Sequence, residues 1–274
     1  MIVDPVAPLI QPDPLAASIP APVPAIAPVV RDPIWSGWDV LLIALLTFVA
    51  MVVLQFAVAG VAQALLYSHS NLIEVGQKPG VLLLSQLLLY GVLAAGMILL
   101  VEGKYHVPFW QAIHWNWPRS RWPMLGLGGV VMIALGLLQN FLPVPKDTPF
   151  DHLFDRLRDA YILAIIAVTL APLMEELFFH GFMYPALARR IGVTGGILVS
   201  AFFFGLIHLP QYGDAWAAGL IIFLVGVACG VVRATTRSVG AAVLVHAGYN
   251  GTQMLIAILL THGFRHMEKA VVLR

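Results

Sequence analysis

Seven long apolar segments follow one another along the chain, and charged residues concentrate between them. The segments are residues 38–67, 81–101, 123–142, 160–188, 193–209, 215–232 and 240–260. A stretch of about 20 apolar residues is long enough to cross the hydrocarbon core of a bilayer as a helix. The pattern therefore predicts an all-α fold, a polytopic bundle of about seven (six to eight) transmembrane helices.

Composition supports a membrane protein and excludes a water-soluble domain. Hydrophobic residues make up 60% of the 274 residues and charged residues only 11%, and the mean hydropathy is +0.88. Soluble domains carry about 25% charged residues, so this chain has too few charges to cover a surface that faces water. The lipid bilayer is the expected surrounding. A net charge of +1 gives no sign of nucleic acid binding, and we expect no nucleic acid partner.

The two ends of the chain differ from this apolar core. Residues 1–37 hold nine prolines and no continuous apolar run, which predicts a Pro/Ala-rich disordered tail rather than a signal peptide. We expect N-terminal membrane helices and interfacial segments over residues 38–150 and a membrane core with the candidate site over residues 151–262. Residues 263–274 are expected to form a C-terminal tail. The single cysteine, Cys229, excludes a disulfide framework and is interpreted as a small buried hydrophobic residue.

A few ionisable and amide side chains interrupt three of the last four apolar segments. They are Glu175, Glu176, His180, His208, His246 and Asn250. A charged side chain at mid-bilayer costs roughly 2.5–3.5 kcal/mol, so such residues normally face a protein cavity and serve a function. Spacing by four places Glu176 beside His180 on one helix face, and His246 beside Asn250 on another. The two glutamates point about 100° apart, so we expect them to have different partners.

Helix rise predicts which of these residues lie at the same depth. Glu175 and His208 each lie about 16 residues from a turn expected near residues 191–194, which brings them level. His246 lies only about ten residues from the next turn, near Thr236, which predicts a shallower position. Taken alone, the glutamate pair or one histidine is explained by a structural role in hydrogen bonding between helices. The combination of carboxylate, imidazole and amide groups in three segments favours a functional site.

Three ordered motifs on these residues resemble those of the CPBP family, also called the Abi family, of CAAX proteases and bacteriocin-processing enzymes. The family motifs are Glu-Glu-xxx-Arg, Phe-xxx-His and His-xxx-Asn/Asp. Here they correspond to residues 175–180, 204–208 and 246–250. The resemblance covers roughly residues 160–260, and His180 stands where the family has arginine.

The resemblance implies an intramembrane endopeptidase, a hydrolase that cuts a membrane-embedded or lipid-anchored peptide or protein, with prenylated CAAX proteins as one such class. Glu175 would activate a water that His208 orients. His246 and Asn250 would stabilise the oxyanion that develops on the scissile carbonyl. The supporting residues would be Glu176, His180 and Phe204.

The family is also described as metalloproteases, which leaves a second chemistry open. Glu175, His208 and His246 would then hold a divalent metal such as Zn²⁺. The chain has no His-Glu-xx-His pair, and each ligand would come from a separate helix, which favours catalysis by the glutamate without a metal.

Two other functions are compatible with the same pattern. A non-catalytic immunity or scaffold protein of this fold is favoured by His180 and by the proline-rich tail. A transporter whose Glu/His cluster relays protons is disfavoured because the sequence contains no internal repeat. We expect a multi-pass protein of a bacterial cytoplasmic membrane.

Overall fold

The computed structural model describes residues 32–145, 148–154 and 156–266, and within these residues the fold is helical and contains no strand. The α-helices are α1 (Gly37–Leu66), α2 (Leu72–Gly76), α3 (Pro79–Tyr105), α4 (Phe109–Ala112), α5 (Trp122–Gln139), α6 (Leu157–Val168), α7 (Leu170–Glu176), α8 (Tyr184–His208), α9 (Trp216–Thr236) and α10 (Val239–Leu260). A π-helical segment, Leu177–Met183, joins α7 to α8. The predicted all-α class is confirmed.

Six stretches of the described chain are long and apolar enough to cross a membrane, which confirms the polytopic bundle. Five of them are the single helices α1, α3, α5, α9 and α10. The sixth, Leu157–Tyr212, has 56 residues and contains α6, α7, the π-helical segment and α8. A straight helix of that length would extend for about 84 Å, far more than the roughly 30 Å hydrocarbon core.

The chain reverses direction at Gly192 inside this long stretch. Gly192 has φ 78° and ψ 167°, a conformation outside the helical region that glycine adopts readily. A Cβ on Gly196 would lie 2.8 Å from the backbone nitrogen of Ala188, whereas residues eight apart in a continuous helix lie about 12 Å apart. The turn expected near residues 191–194 is therefore present, and the stretch supplies two antiparallel segments. Together with the five single helices they make seven.

The backbones of α5 and α10 are in close contact. A Cβ on Gly128 would overlap the carbonyl oxygen of Val245, and a Cβ on Gly248 would overlap the carbonyl oxygen of Leu125. Such small residues allow two membrane helices to approach closely and to pack by van der Waals contact. This contact brings α5 directly against α10, the helix that carries His246.

The N-terminal boundary of the fold lies earlier than the predicted limit of the tail at residue 37. Residues 1–31 lie outside the described residues, but Trp35 is fully buried and stacks on Phe182 with ring centroids 4.8 Å apart. Its Nε1–H donates to the carbonyl oxygen of Phe182 at 2.8 Å. An indole combines a large apolar area with one hydrogen-bond donor. In this contact the apolar ring is buried and the donor has a partner.

The C-terminal boundary also lies later than predicted. Phe264 is buried against Phe154, with ring centroids 5.7 Å apart. The remainder of the predicted tail, residues 267–274, lies outside the described residues.

Candidate active site

The two glutamates lie where the helix changes its geometry. The chain breaks between α6 and α7 at Thr169, which has φ −118° and ψ −73°, and Pro172 occupies the first turn of α7, where its missing N–H costs little. Glu175 and Glu176 are the last two residues of α7, and the π-helical segment that follows carries His180. Short π-helical segments are rare and frequently lie at functional sites.

Side chains from other parts of the fold hold the π-helical segment. Three donate hydrogen bonds to its carbonyl groups: Ser200 Oγ to Phe179 at 2.8 Å, Arg233 Nε to His180 at 3.1 Å and Trp35 Nε1 to Phe182 at 2.8 Å. All three donors are buried. Because they come from α8, α9 and the segment before α1, the irregular helix is fixed by tertiary contacts as well as by its own hydrogen bonds.

Glu175 lies between two imidazole rings. Its Oε1 is 3.9 Å from Nε2 of His208, and its Oε2 is 3.7 Å from Nε2 of His246. Both distances exceed a direct hydrogen bond and suit a bridging water, which lies about 2.8 Å from each partner. Tyr90 of α3 adds a long hydrogen bond, at 3.5 Å, to Oε1. The Glu175 side chain is 17% exposed and that of His208 is 14% exposed, so both are partly accessible.

The ring of His208 has a defined tautomer and a fixed position. Its Nδ1 lies 2.7 Å from the carbonyl oxygen of Phe204, and because a carbonyl only accepts, Nδ1 carries the proton. The Nε2 atom of the ring therefore faces Glu175. The Phe204 ring lies 4.7 Å from the ring of His208 and 5.6 Å from that of His246, so it packs against both histidines.

Glu176 occupies a sealed position behind Glu175. Its Oε1 accepts a hydrogen bond from Nδ1 of His246 at 2.9 Å, and its Oε2 lies 3.9 Å from Nε2 of His180. The side chains of Glu176 and His180 are 1% and 0% exposed. The expectation of different partners holds only in part: His208 lies near Glu175 and His180 near Glu176, but His246 contacts both glutamates.

Asn250 lies one turn beyond His246 on α10 and binds the helix that leads to the glutamates. Its Nδ2 donates to the carbonyl oxygen of Ala167, at the end of α6, at 2.7 Å. This bond joins α10 to the break between α6 and α7. An amide nitrogen has two N–H groups, so the second one is not used by this contact.

Both histidines for which the sequence predicts a depth lie beside Glu175. Nε2 of His208 lies 3.9 Å from Oε1 of Glu175, in keeping with the equal distances of the two residues from the turn near residues 191–194. His246 is expected at a shallower position, yet its Nε2 lies 3.7 Å from Oε2 of Glu175. The helix α10 that carries it is in backbone contact with α5, so a count of residues from the turn near Thr236 does not by itself predict which side chains His246 meets.

Three residues of this region carry no signal in the motif pattern. Tyr90 is a single hydroxyl in an apolar helix, Arg233 is a charge near the end of an apolar segment, and Cys229 was assigned to the apolar core. Their proximity to the site is a tertiary relationship. Of the three, Arg233 is the residue that the sequence could best have identified, since an arginine near the end of a membrane helix normally has a specific partner.

The three residues proposed as metal ligands do not form a compact set of donors. Ligand atoms bound to one tetrahedral Zn²⁺ lie about 3.3–3.6 Å apart. Among the described residues, the group whose ligand atoms all lie within 4.8 Å of one another is Glu176, Cys229 and His246. Glu175 and His208 are not part of it. The arrangement therefore does not fit a metal held by Glu175, His208 and His246.

Comparison with known proteins points to the same region. Residues 158–252 match the family described as type II CAAX prenyl endopeptidase Rce1-like. The match covers about a third of the chain, includes all three motifs and confirms the resemblance to the CPBP and CAAX protease family. A search of curated proteins and a search of solved structures give no significant match.

Proposed function

We propose that the protein is an intramembrane endopeptidase that hydrolyses a peptide bond in a membrane-embedded or lipid-anchored substrate. The observation that carries this proposal is the position of Glu175, a partly accessible carboxylate within 3.9 Å of two imidazole nitrogens inside an apolar bundle. The match of residues 158–252 to a prenyl endopeptidase family supports the same reaction class. A prenylated CAAX-type peptide is the substrate class that this match favours, and a bacterial cytoplasmic membrane is the proposed location.

In the proposed reaction Glu175 acts as the general base. A water between Glu175 and His208 donates one hydrogen to the carboxylate and the other to the Nε2 lone pair of His208. Attack on the scissile carbonyl transfers a proton to Glu175, which then delivers it to the leaving amine. The Phe204 carbonyl holds the Nδ1 proton of His208, so this ring orients the water.

We assign the stabilisation of the developing oxyanion to His246 and Asn250. His246 donates its Nδ1–H to Glu176, so a proton on Nε2 makes the ring an imidazolium beside a buried carboxylate. That charged ring is a hydrogen-bond donor to an oxyanion next to Glu175. The second N–H of Asn250 is the additional donor, while its first holds the α6 carbonyl.

The test is cleavage of a quenched fluorescent farnesylated CAAX peptide by the full chain in proteoliposomes. Glu175→Gln keeps the shape of the side chain and removes the base, and a general base contributes about 10²–10⁴-fold to rate. We expect kcat to fall at least about 100-fold. The matched control is Glu74→Gln at an exposed position on α2. Equal turnover by Glu175→Gln and the parent would refute glutamate catalysis.

A non-catalytic scaffold of the same fold is the second candidate, and the observation that favours it is His180 in place of the family arginine. It predicts that neither the parent nor Glu175→Gln cleaves any membrane-anchored peptide. It also predicts that the parent still binds a farnesylated peptide, measured by fluorescence anisotropy in detergent micelles.

A further inference from the structure

The segment that joins α3 to α5 is fixed across one end of the bundle. It covers residues 106–121, includes the short helix α4 and buries Phe109. Nδ2 of Asn116 donates to the carbonyl oxygen of Arg237 at 3.0 Å, and Oγ of Ser238 donates to the carbonyl oxygen of Asn116 at 2.7 Å. The segment is therefore held against the turn between α9 and α10, and both present their side chains at the same end.

The acidic side chains of this end, where α1, α5 and α10 begin, already have partners. Among the described residues they are Asp32, which lies 3.0 Å from Nε2 of His114, Asp39, which lies 2.6 Å from Nζ of Lys104, and Glu102, which accepts from the backbone N–H of Phe109 at 3.0 Å. None of these carboxylates is therefore left over to neutralise a further cation.

Three arginines of the same end are exposed and lack such a partner. Arg119 and Arg121 lie in the segment before α5, and Arg237 lies in the turn before α10. Among the described residues none of them forms an ion pair with a carboxylate. This end of the bundle therefore carries accessible positive charge on a backbone that tertiary contacts hold in place.

Tryptophans surround two of these arginines. Trp110, Trp117 and Trp122 are exposed, and the ring of Trp115 lies 5.3 Å from that of Trp110 and 5.1 Å from that of Trp117. The guanidinium carbon of Arg121 lies 5.2 Å from the centroid of the Trp117 ring. Tryptophan is enriched at the level of the lipid headgroups. The ring cluster therefore places Arg119 and Arg121 among the headgroups of one leaflet.

The face of α5 below these rings suits acyl chains. Trp122 begins the helix, and the exposed side chains of Val130, Ile133 and Leu137 follow within about 80° of it around the helix axis. A molecule that meets the arginines and this face together has an anionic head and apolar tails. Guanidinium groups bind phosphate oxygens in a bidentate manner, so a phosphate head fits the arginines.

We propose that Arg119, Arg121 and Arg237, together with the adjoining face of α5, bind an anionic phospholipid. We name this surface the arginine–tryptophan site, with Trp117 and Trp122 as its tryptophans. A zwitterionic headgroup balances its phosphate with its own ammonium group, whereas an anionic one leaves a net charge for the arginines. None of these residues takes part in the proposed hydrolysis, so the inference holds for an enzyme and for a scaffold alike.

The first experiment compares phosphatidylglycerol with phosphatidylcholine of the same acyl chains. The full chain is purified in detergent, mixed with equal amounts of both lipids and analysed by native mass spectrometry for the lipid that it retains. A basic side chain near an anionic headgroup contributes about 1 kcal/mol, which is about five-fold in affinity. We therefore expect the parent to retain phosphatidylglycerol at least about five-fold better than phosphatidylcholine.

A pair of matched double variants tests where the lipid binds. Arg119→Gln with Arg121→Gln should lower the affinity for phosphatidylglycerol about 25-fold, five-fold for each arginine. The control is Arg156→Gln with Arg158→Gln, which removes two exposed arginines of the same spacing before and within α6 and should retain the lipid like the parent. Equal retention of the two lipids by the parent, or equal losses in the two double variants, would overturn the proposal.

The second experiment separates a lipid from a free phosphate. Phosphatidylglycerol with a fluorescent label on one acyl chain is bound to the parent in micelles and followed by fluorescence anisotropy. Inorganic phosphate at the concentration of the lipid should displace none of it, because phosphate lacks the chains that contact α5. Raising NaCl from about 0.1 M to about 1 M shortens the Debye length from about 10 Å to about 3 Å, so lipid binding should weaken. Displacement by phosphate, or binding unchanged by salt, would refute the site.

Discussion

The Nδ1 atom of His246 lies 2.9 Å from Oε1 of Glu176, whose side chain is 1% exposed. A carboxylate only accepts hydrogen bonds, so this contact places a proton on Nδ1 and turns Nε2 toward Glu175. Glu176 therefore acts through His246. In the proposed reaction it is a positioning residue that supports the charged form of the ring.

Replacing Glu176 by glutamine removes the negative charge of this side chain and keeps an oxygen that can accept a hydrogen bond. The amide oxygen can still accept from Nδ1 of His246, so the ring orientation is kept, but the imidazolium loses its counter-charge. Removal of carboxylate partners from functional histidines in metal sites costs about 10–100-fold, and we expect kcat for the farnesylated peptide to fall by a similar factor. KM should change little because Glu176 is sealed away from substrate. A KM effect with unchanged kcat would contradict this role, and Glu74→Gln is the matched control.

Restoring the family arginine at position 180 should destabilise this protein. His180 is fully buried, and a Cβ added to Gly230 would lie 3.3 Å from its Cε1, so the ring fills its pocket. The side chain of arginine is longer than that of histidine, and its guanidinium would lie close to the guanidinium of Arg233. Overpacking costs about 1–3 kcal/mol, and we expect a lower melting temperature for His180→Arg in detergent.

The control for His180→Arg is His69→Arg, an exposed position in the loop after α1. That substitution makes the same chemical change outside the core and should leave melting unaltered. If His180→Arg were as stable as the parent, the pocket would accommodate the arginine that the family carries.

Arg233 should be required for the geometry of the π-helical segment. Its Nε donates to the carbonyl oxygen of His180 at 3.1 Å, and the side chain is buried. Arg233→Met keeps much of the length and removes the donor, which leaves a buried carbonyl without this partner at a cost of about 1–3 kcal/mol. Amide hydrogen exchange in the π-helical segment should speed up. Arg119→Met, at an exposed position, is the control. Unchanged exchange in Arg233→Met would show that the π-helical segment does not depend on the hydrogen bond from Arg233.

The sequence predicts the crossing helices well because hydrophobic length is a local property. Helix α3 extends two and four residues beyond its predicted ends, and helix α10 begins one residue before its predicted start and ends where predicted. The turn at Gly192 was also predictable, since a short polar and glycine-containing interval between two apolar segments leaves little choice. These features depend on the cost of placing backbone and side chains in lipid, which acts on each segment separately.

The site was less predictable because its geometry depends on contacts between helices. Motif spacing identified Glu175, His208 and His246, but a shallower position was expected for His246. Helix α10 is in backbone contact with α5 through Gly128 and Gly248, and a contact between residues so far apart in the sequence leaves no periodic pattern. The proximity of Cys229 to Glu176 is hidden for the same reason, since a cysteine in an apolar helix resembles any small core residue.

Glycines in α5 offer a direct test of how His246 is placed. A Cβ on Gly128 would overlap the carbonyl oxygen of Val245, which is backbone and cannot rotate away, whereas a Cβ on Gly126 meets no atom within 4 Å. Gly128→Ala should therefore push α10 away from α5 and carry His246 with it.

We expect Gly128→Ala to lower both the melting temperature and kcat. Gly126→Ala should be neutral or stabilising, because alanine favours a helix by about 1 kcal/mol over glycine. Both variants add one methyl group to the same helix, so helix propensity and added apolar area are matched between them. Melting in detergent and turnover of the farnesylated peptide are the two measurements. Equal behaviour of the two variants would mean that the contact between α5 and α10 does not set the position of His246, and α10 would then have to be held by its other contacts, among them the hydrogen bond from Asn250 to the carbonyl oxygen of Ala167 on α6.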